Sequence, residues 1–172
     1  FSPGPSYFFK HQQIYAGWLQ IYVHMRTALE ELGYDVILPQ FNEEYIDRTS
    51  TMSQVASYEY MALDSLLDVK KPDLYVGAYG YSFAQLQRLR DTPKVLWVFN
   101  CADWWRDKQL VEEYKKANVS YDQSPFWRWA NLRQIQLADH LIAPSPFVKK
   151  TYAKHKEPKH ISTVFWGVDC KK

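Results

Sequence analysis

The chain has 172 residues, of which 47% are hydrophobic and 23% are charged, and its formal net charge is +2. This composition is typical of one folded domain with a real core, and it excludes a disordered tail. The small net charge also argues against binding to nucleic acid through overall charge.

The first part of the chain predicts two helices with a short strand between them. From 14 to 32, apolar residues recur every three or four positions, and Gly33 follows where a helix typically ends. Residues 35–39 are predicted to form a short strand, which a proline ends, and 41–50 a polar loop. A second helix is predicted over 52–69.

The rest of the chain alternates short apolar runs with helical segments. The predicted strands are 74–77, 94–99, 141–143 and 161–165. The predicted helices are 81–90, 109–117, 126–138 and a segment that begins after an N-cap at Ser145 with Pro146 in its first turn. Strand 94–99 is apolar on both faces, which is typical of a central strand of a parallel sheet.

This alternation predicts an α/β fold for residues 1–172 as a single domain: a Rossmann-like, doubly wound, mostly parallel sheet with helices on both faces. Such a domain normally begins with a strand, which a glycine turn connects to the first helix. Here the helix comes first. We therefore expect Phe1 to be the last residue of a strand that precedes this sequence.

The main candidate site residues follow the predicted central strand, at the sheet edge where ligands of such folds bind. They are Asn100, Asp103, Trp104, Trp105 and Arg106. Asn100 and Asp103 are the candidate catalytic residues, although a helix N-cap is the more common role for an aspartate in this setting. Indole rings stack on sugar rings and charged side chains bond sugar hydroxyls, but packing against a further domain explains the tryptophans equally well.

Glycines and turn residues supply the remaining binding candidates. Gly80 and Tyr81 lie in the turn after strand 74–77, which is a position for presenting backbone N–H groups to a ligand. The turn lacks G-x-G-x-x-G, which argues against dinucleotide binding. Ser145 lies in the turn after another strand. Gly17 lies within a helical pattern, where glycine destabilises a helix by about 1 kcal/mol relative to alanine. A glycine there indicates either that a ligand approaches the backbone closely or that another helix packs against it.

Two clusters bear on possible partners. The helix predicted over 126–138 begins with aromatic and basic residues, which favours a buried aromatic side and leaves attachment to a membrane interface as the alternative. Lysines crowd the end of the chain, as a solvated face or as a surface for an anionic partner such as a membrane. The two cysteines suit a reducing compartment, and no signal peptide or membrane span is evident. We therefore expect a cytoplasmic location, with peripheral contact at the cytoplasmic face of a membrane as an option.

Several chemistries find no support in the sequence. There is no D-x-D pair to hold a metal–diphosphate, no histidine spacing typical of metal ligands and no G-x-S-x-G element. Metal-dependent glycosyl transfer, metal catalysis and serine hydrolysis are therefore disfavoured.

Five segments together resemble the N-terminal domain of glycosyltransferases with the GT-B architecture, in the large nucleotide-sugar-dependent class usually called family 4. They are 28–36, 71–74, 92–96, 137–148 and 164–169, of which the last two are the most specific. The resemblance covers nearly the whole chain but only half of such an enzyme.

The resemblance implies an acceptor-side domain that is inactive without a C-terminal donor-binding domain. It implies a nucleotide-sugar donor as co-substrate, a carbohydrate or glycosylated acceptor, and no other cofactor. The family often places a histidine after the strand that matches 95–99, and this chain has Asn100 there, which can only form hydrogen bonds. The alternative is a non-catalytic Rossmann-like module that binds a carbohydrate or a protein.

Overall fold

The structure is a computed structural model that describes residues 17–38, 43–47, 49–64, 66, 72–121 and 124–165. The chain divides into two units, Phe1–Pro72 and Asp73–Lys172. The resembling segment 166–169 and residues 1–16 lie outside the described part, and with them the strand end expected at Phe1.

The first unit contains the two predicted helices. They are α1, Gly17–Glu31, and α2, Thr51–Asp64, with a short 3₁₀ helix at Glu43–Tyr45 within the predicted polar loop. Gly33 ends α1 as predicted. Its φ of +86° is left-handed, its N–H donates to Glu30 O at 2.9 Å, and the Tyr34 N–H donates to Leu29 O at 3.0 Å. These two bonds satisfy carbonyls that the helix end would otherwise leave free.

The strand predicted over 35–39 is wrong for its described part. Residues 35–38 have no strand neighbour among the described residues, and the Ile37 side chain is 51% exposed. A strand is stabilised by hydrogen bonds to a neighbouring strand and by burial of its apolar face, and residues 35–38 have no such ladder.

The second unit contains a four-stranded parallel sheet with strand order β1-β2-β3-β4. The strands are β1, Tyr75–Ala78; β2, Lys94–Trp97; β3, His140–Ala143; and β4, Ile161–Thr163. The helices are α3, Phe83–Arg88; α4, Asp103–Lys116; α5, Pro125–Leu137; and α6, Pro146–Tyr152, followed by a 3₁₀ helix at Pro158–His160. The α/β fold with a Rossmann-like parallel sheet is therefore confirmed. The four strands follow one another in a single direction, so the reversal of order that a doubly wound sheet requires is not among them.

The core of this unit surrounds the middle of the sheet. Leu96, Val98 and Leu141 are fully buried, and β2 lies between β1 and β3, as predicted for the most apolar run. Strands that are covered on both faces read as continuous apolar runs, which is why the sequence reveals them.

Two details of the helices differ from the prediction. The helix predicted over 109–117 begins earlier, because α4 starts at Asp103. The N-cap of α4 is Ala102, so the N-cap role predicted for Asp103 is wrong. Ala102 O accepts the N–H groups of Trp105 and Arg106 at 2.9 and 3.1 Å, and the Ala102 N–H is held by another helix. A tertiary contact therefore sets the start of α4, which local sequence signals do not reveal.

The buried aromatic side predicted for the 126–138 helix is also wrong. The buried side of α5 consists of Ala130, Asn131, Gln134 and Ile135. Phe126 is 53% exposed, and Trp129 is 48% exposed while its ring packs edge-on against Phe83 with centroids 5.1 Å apart. The polar members of the buried side bond to other elements, which gives them the partners that burial demands.

Lys94 and Asp139 connect β2 to β3 at the amino edge of the sheet. The Asp139 N–H donates to Lys94 O at 2.8 Å, and the Lys94 N–H donates to Asp139 Oδ2 at 2.7 Å. Lys94 is buried, with 7% of the residue exposed, and its ammonium donates to the carbonyls of Leu89, Arg90 and Thr92 at 3.2, 3.2 and 2.9 Å. The Lys94 ammonium thus binds three backbone carbonyls of the turn before β2 and holds that turn in place.

Replacing this lysine is expected to destabilise the fold. Lys94→Met keeps an apolar stem of similar length but leaves carbonyls of the turn without their donor, so the free energy of unfolding should fall by about 1–3 kcal/mol. Urea denaturation measures the difference. Lys150→Met, at an exposed position of α6, is the matched control and should change stability by less than about 0.5 kcal/mol. Equal stability of the two variants would contradict a role for the Lys94 ammonium in closing the turn.

Candidate functional site

The candidate site lies at the carboxyl edge of the sheet, where the chain leaves β1, β2 and β3. Because the strands are parallel, these three exits lie on the same edge. Tyr79 follows β1, Asp103 begins the helix after β2, and Ser145 follows β3. Asp103 and Ser145 therefore lie on the same edge of the sheet.

The turn after β1 is closed by a side chain from α5. The Gln134 side chain is 1% exposed, and its Oε1 accepts the N–H groups of Gly80 and Ser82 at 3.1 and 3.2 Å. Gly80 has a φ of +92°, a conformation that favours glycine. The N–H groups of Tyr79 and Tyr81 donate to backbone carbonyls at 2.9 and 3.2 Å. All four amides of the turn are therefore used within the fold, so Gly80 and Tyr81 offer no free N–H to a ligand.

The exit of β2 is bound to α6 through Thr151. The Ala102 N–H donates to Thr151 Oγ1 at 3.0 Å, and Trp104 Nε1–H donates to Thr151 O at 2.7 Å. The Lys154 ammonium lies 4.7 Å from the centroid of the Trp104 ring. The indole of Trp104, a predicted binding residue, is thus engaged on α6.

Four charged side chains of α4 and α5 form an ion-pair network at this edge: Asp103, Arg106, Asp107 and Arg128. Arg106 Nη2 lies 3.2 Å from both Asp103 Oδ1 and Asp107 Oδ1, and Arg128 Nε lies 3.2 Å from Asp107 Oδ2. The side chains of Asp103 and Asp107 are only 13% and 15% exposed. Two positive and two negative groups balance, which offsets part of the cost of removing them from water.

Arg106 keeps its charge in this setting. Burial lowers the pKa of its guanidinium, but Asp103 and Asp107 more than offset that effect, so the pKa is raised overall. Tyr121 extends the network, because its hydroxyl donates to Asp107 Oδ1 at 2.8 Å. The network can hold a fixed pattern of donors and acceptors around neutral pH.

Two tyrosines meet behind Asp103. The rings of Tyr79 and Tyr152 are edge-to-face, with centroids 5.7 Å apart, and Tyr152 is fully buried. Burial raises the pKa of both phenols, and the Asp103 carboxylate raises each further, so both remain protonated. Asp103 Oδ2 accepts a hydrogen bond from Asn131 Nδ2 at 2.7 Å, which orients the carboxylate.

An aromatic pair joins the starts of α4 and α6 at this edge. The rings of Trp105 and Phe147 are edge-to-face with centroids 5.7 Å apart, one from the start of α4 and the other from the start of α6. Phe147 is 52% exposed, and Trp105 is half-buried. The exposed part of Phe147 therefore adds apolar surface to this edge.

The remaining predicted residues are separate from this cluster or engaged elsewhere. Ser145 is the N-cap of α6, as predicted, and its Oγ accepts the Val148 N–H at 3.2 Å. Asn100 lies in an exposed bend after β2. Gly17 is the first residue of α1 and belongs to the first unit. Burial raises the pKa of the Cys101 thiol, which keeps it protonated and poorly nucleophilic.

Five residues of the cluster escaped the sequence prediction as site residues: Tyr79, Tyr121, Arg128, Phe147 and Tyr152. A signal existed for Tyr152, because it stands four residues after Val148 on the buried side of a short helix. A phenol on such a side needs a polar partner. Its neighbours across the sheet edge come from distant segments, which the sequence does not reveal.

The described residues contain no group of three or more histidine, cysteine, aspartate or glutamate side chains placed to hold a metal ion. None of the helices in the same part of the chain combines the length and apolar character needed to cross a membrane. Fold and site together define an α/β protein whose sheet edge carries aromatic and ion-paired side chains. No protein-family model matches the chain, and neither does any curated protein sequence.

The Gln134 amide is expected to be essential to the geometry of this edge. Gln134→Leu leaves the Gly80 and Ser82 N–H groups buried without an acceptor, and the free energy of unfolding should fall by about 2 kcal/mol or more. Thermal and urea denaturation measure the loss. The exposed Gln87 of α3 offers the matched control, Gln87→Leu, for which little change is expected. A Gln134→Leu protein as stable as the control would mean that the turn finds other acceptors.

Proposed function

We propose that this chain is the acceptor-binding domain of a glycosyltransferase with the GT-B architecture. The complete enzyme would transfer a sugar from a nucleotide-sugar donor to a hydroxyl group of a carbohydrate or glycosylated acceptor. A second, donor-binding domain would supply the contacts to the nucleotide sugar, and the chain alone would not complete the transfer.

One observation carries the proposal: the carboxyl edge of the parallel sheet carries both an aromatic pair and an ion-pair network. Trp105 and Phe147 supply apolar ring surface, which suits the C–H face of a sugar. Arg106 and Asp103 belong to the network, and their donors and acceptors suit sugar hydroxyls. A carbohydrate needs both kinds of surface at once.

The chemistry proposed for this domain is binding and orientation of the acceptor. Asp103 is held by Asn131 and Arg106, so a hydroxyl that reaches it would meet a carboxylate of fixed direction. In the complete enzyme, this carboxylate would orient the attacking hydroxyl, and Asn100 would contribute hydrogen bonds from the loop. Closure of the second domain over the edge would exclude water from the reaction.

A non-catalytic carbohydrate- or protein-binding module is the second candidate. It is favoured by the engagement of the predicted site residues within the fold. Trp104 donates to Thr151, and the Asp103 carboxylate accepts from Asn131 and pairs with Arg106. Side chains that are bonded in this way suit a rigid recognition surface as well as a catalytic one.

The proposal is tested by titrating the chain with donors and with simple sugars. UDP-glucose and GDP-mannose should bind weakly or not at all in calorimetry. Methyl α-D-glucopyranoside, methyl α-D-mannopyranoside and methyl β-D-galactopyranoside are the acceptor probes, and at least one should give saturable shifts in NMR spectra. Phe147→Ala should weaken that binding about threefold to tenfold, because it removes one ring of the pair.

Phe126→Ala is the matched control, because Phe126 is equally exposed but lies on α5 and outside the aromatic pair. It should leave glycoside binding unchanged. Tight donor binding by this chain, or no glycoside binding at all, would contradict the acceptor role. Transfer activity that appears only when a donor-binding domain is added would separate the enzyme from the non-catalytic module.

A further inference from the structure

One side of α5 carries aromatic rings that are exposed to solvent. Phe126 and Trp129 are three residues apart, so they lie on the same side of the helix. They are 53% and 48% exposed, and their ring centroids are 5.7 Å apart. The residues of α5 that are buried in the fold lie on the opposite side of the helix. The rings are therefore not part of the core.

The neighbouring helix α3 extends this aromatic side. The ring of Phe83, at the start of α3, packs edge-on against Trp129 with centroids 5.1 Å apart. Three rings from two helices are thus contiguous, and their mutual contacts hold the Trp129 indole in place. A contiguous exposed apolar surface is typical of a site where a protein contacts a partner or a membrane.

A positive charge follows the rings along the same side of α5. Arg133 is four residues after Trp129, which places it one turn farther along the helix. Its Nη1 donates to Gln136 Oε1 at 2.7 Å, so this bond leaves the charge of the guanidinium uncompensated. The sequences of α3 and α5 contain no acidic residue. The α5 surface is the name used below for Phe83, Phe126, Trp129 and Arg133.

The exposed part of α4 has a different chemistry. Glu112, Glu113, Lys115 and Lys116 combine both signs of charge there, and Lys116 Nζ forms an ion pair with a Glu113 carboxylate oxygen at 2.6 Å. Such a face is typical of a helix that water solvates. The α5 surface has aromatic rings where α4 has acids, so its charge is best complemented by an anionic group outside the fold.

We propose that the α5 surface attaches this protein to membranes that contain anionic lipids. Tryptophan and phenylalanine rings enter the boundary between headgroups and acyl chains, and an arginine binds lipid phosphate. α5 lies along the membrane plane and keeps its buried side on the fold, so attachment requires no unfolding. The attachment is peripheral, and it does not depend on the acceptor role proposed above.

Two other occupants match the α5 surface less well. A symmetric contact with a second copy would bring one positive surface against another, because neither α3 nor α5 supplies an acid. Single-stranded nucleic acid stacks its bases on open ring faces. Here the Trp129 ring meets Phe83 edge-on and is tilted by 41° to Phe126, so the three rings form an uneven apolar ridge.

Co-sedimentation of the 172-residue chain with lipid vesicles tests the proposal. The chain should bind vesicles made of equal parts of phosphatidylcholine and phosphatidylglycerol, and it should bind phosphatidylcholine vesicles far more weakly. Phe126→Ala and Arg133→Gln should each weaken binding to the anionic vesicles about threefold to tenfold. Neither side chain is buried, so both variants should keep the stability of the native chain to urea, which separates lost binding from lost folding.

Phe147→Ala and Lys150→Gln are the matched controls, because they remove an exposed ring and an exposed charge from α6 instead. Neither should change vesicle binding. The proposal is overturned if the anionic vesicles are not bound, or if both kinds of vesicle are bound equally. It is also overturned if binding falls in Lys150→Gln but not in the α5 variants, because the lysines near the end of the chain then bind the lipid.

Two further measurements distinguish the other occupants. Sedimentation equilibrium detects self-association, and fluorescence anisotropy detects binding of a labelled oligothymidylate. Either activity, if Phe126→Ala abolishes it and the vesicles are not bound, assigns the α5 surface to a second copy or to nucleic acid and overturns the membrane proposal. Glycoside binding by the native chain is independent of all these results, so each proposal can fail while the other stands.

Discussion

Thr151 connects two segments at the carboxyl edge of the sheet through its side-chain hydroxyl and its backbone carbonyl. Its hydroxyl accepts the Ala102 N–H at 3.0 Å, and its carbonyl oxygen accepts the indole N–H of Trp104 at 2.7 Å. The segment that leaves β2 is thus bound to the helix that follows β3. Because Ala102 is the N-cap of α4, this contact fixes where α4 begins and which way Asp103 points. The ion-pair network, the aromatic pair and the buried phenols all depend on that placement.

The apolar runs in the sequence predict the four strands of the sheet, but they also predict a strand near residues 35–38 that does not form. Both outcomes have the same physical cause. Strands buried on both faces appear as short apolar runs, and Leu96 and Leu141 mark two of them. Residues 35–38 show a similar run but have no neighbouring strand among the described residues. Apolar periodicity is a local property, whereas pairing depends on segments far away in sequence. The start of α4 at Asp103 was missed likewise, because a distant threonine sets it.

The site was predictable to the extent that its residues follow directly from a strand. Trp105 and Arg106 stand just after the central strand, so the topology alone assigns them to the functional edge. Gln134 and Tyr152 lie within helices, and their partners are in other segments. The sequence does indicate that each is a polar residue on the buried side of a helix. Only the hydrogen-bond geometry of the structure shows which groups each residue binds.

The alignment of β2 with β3 at the amino edge of the sheet also determines their alignment at the carboxyl edge. Asp139 bonds Lys94 at the amino edge and aligns Val95 with His140, which places Trp97 opposite Ile142 near the carboxyl edge. A slip of one residue would move the exit of β3 by about 3.3 Å and turn its side chains to the opposite face. No hydrogen bond tolerates such a shift. A contact at the edge opposite the site therefore helps to place Thr151 within reach of the chain that leaves β2, and so to assemble the site.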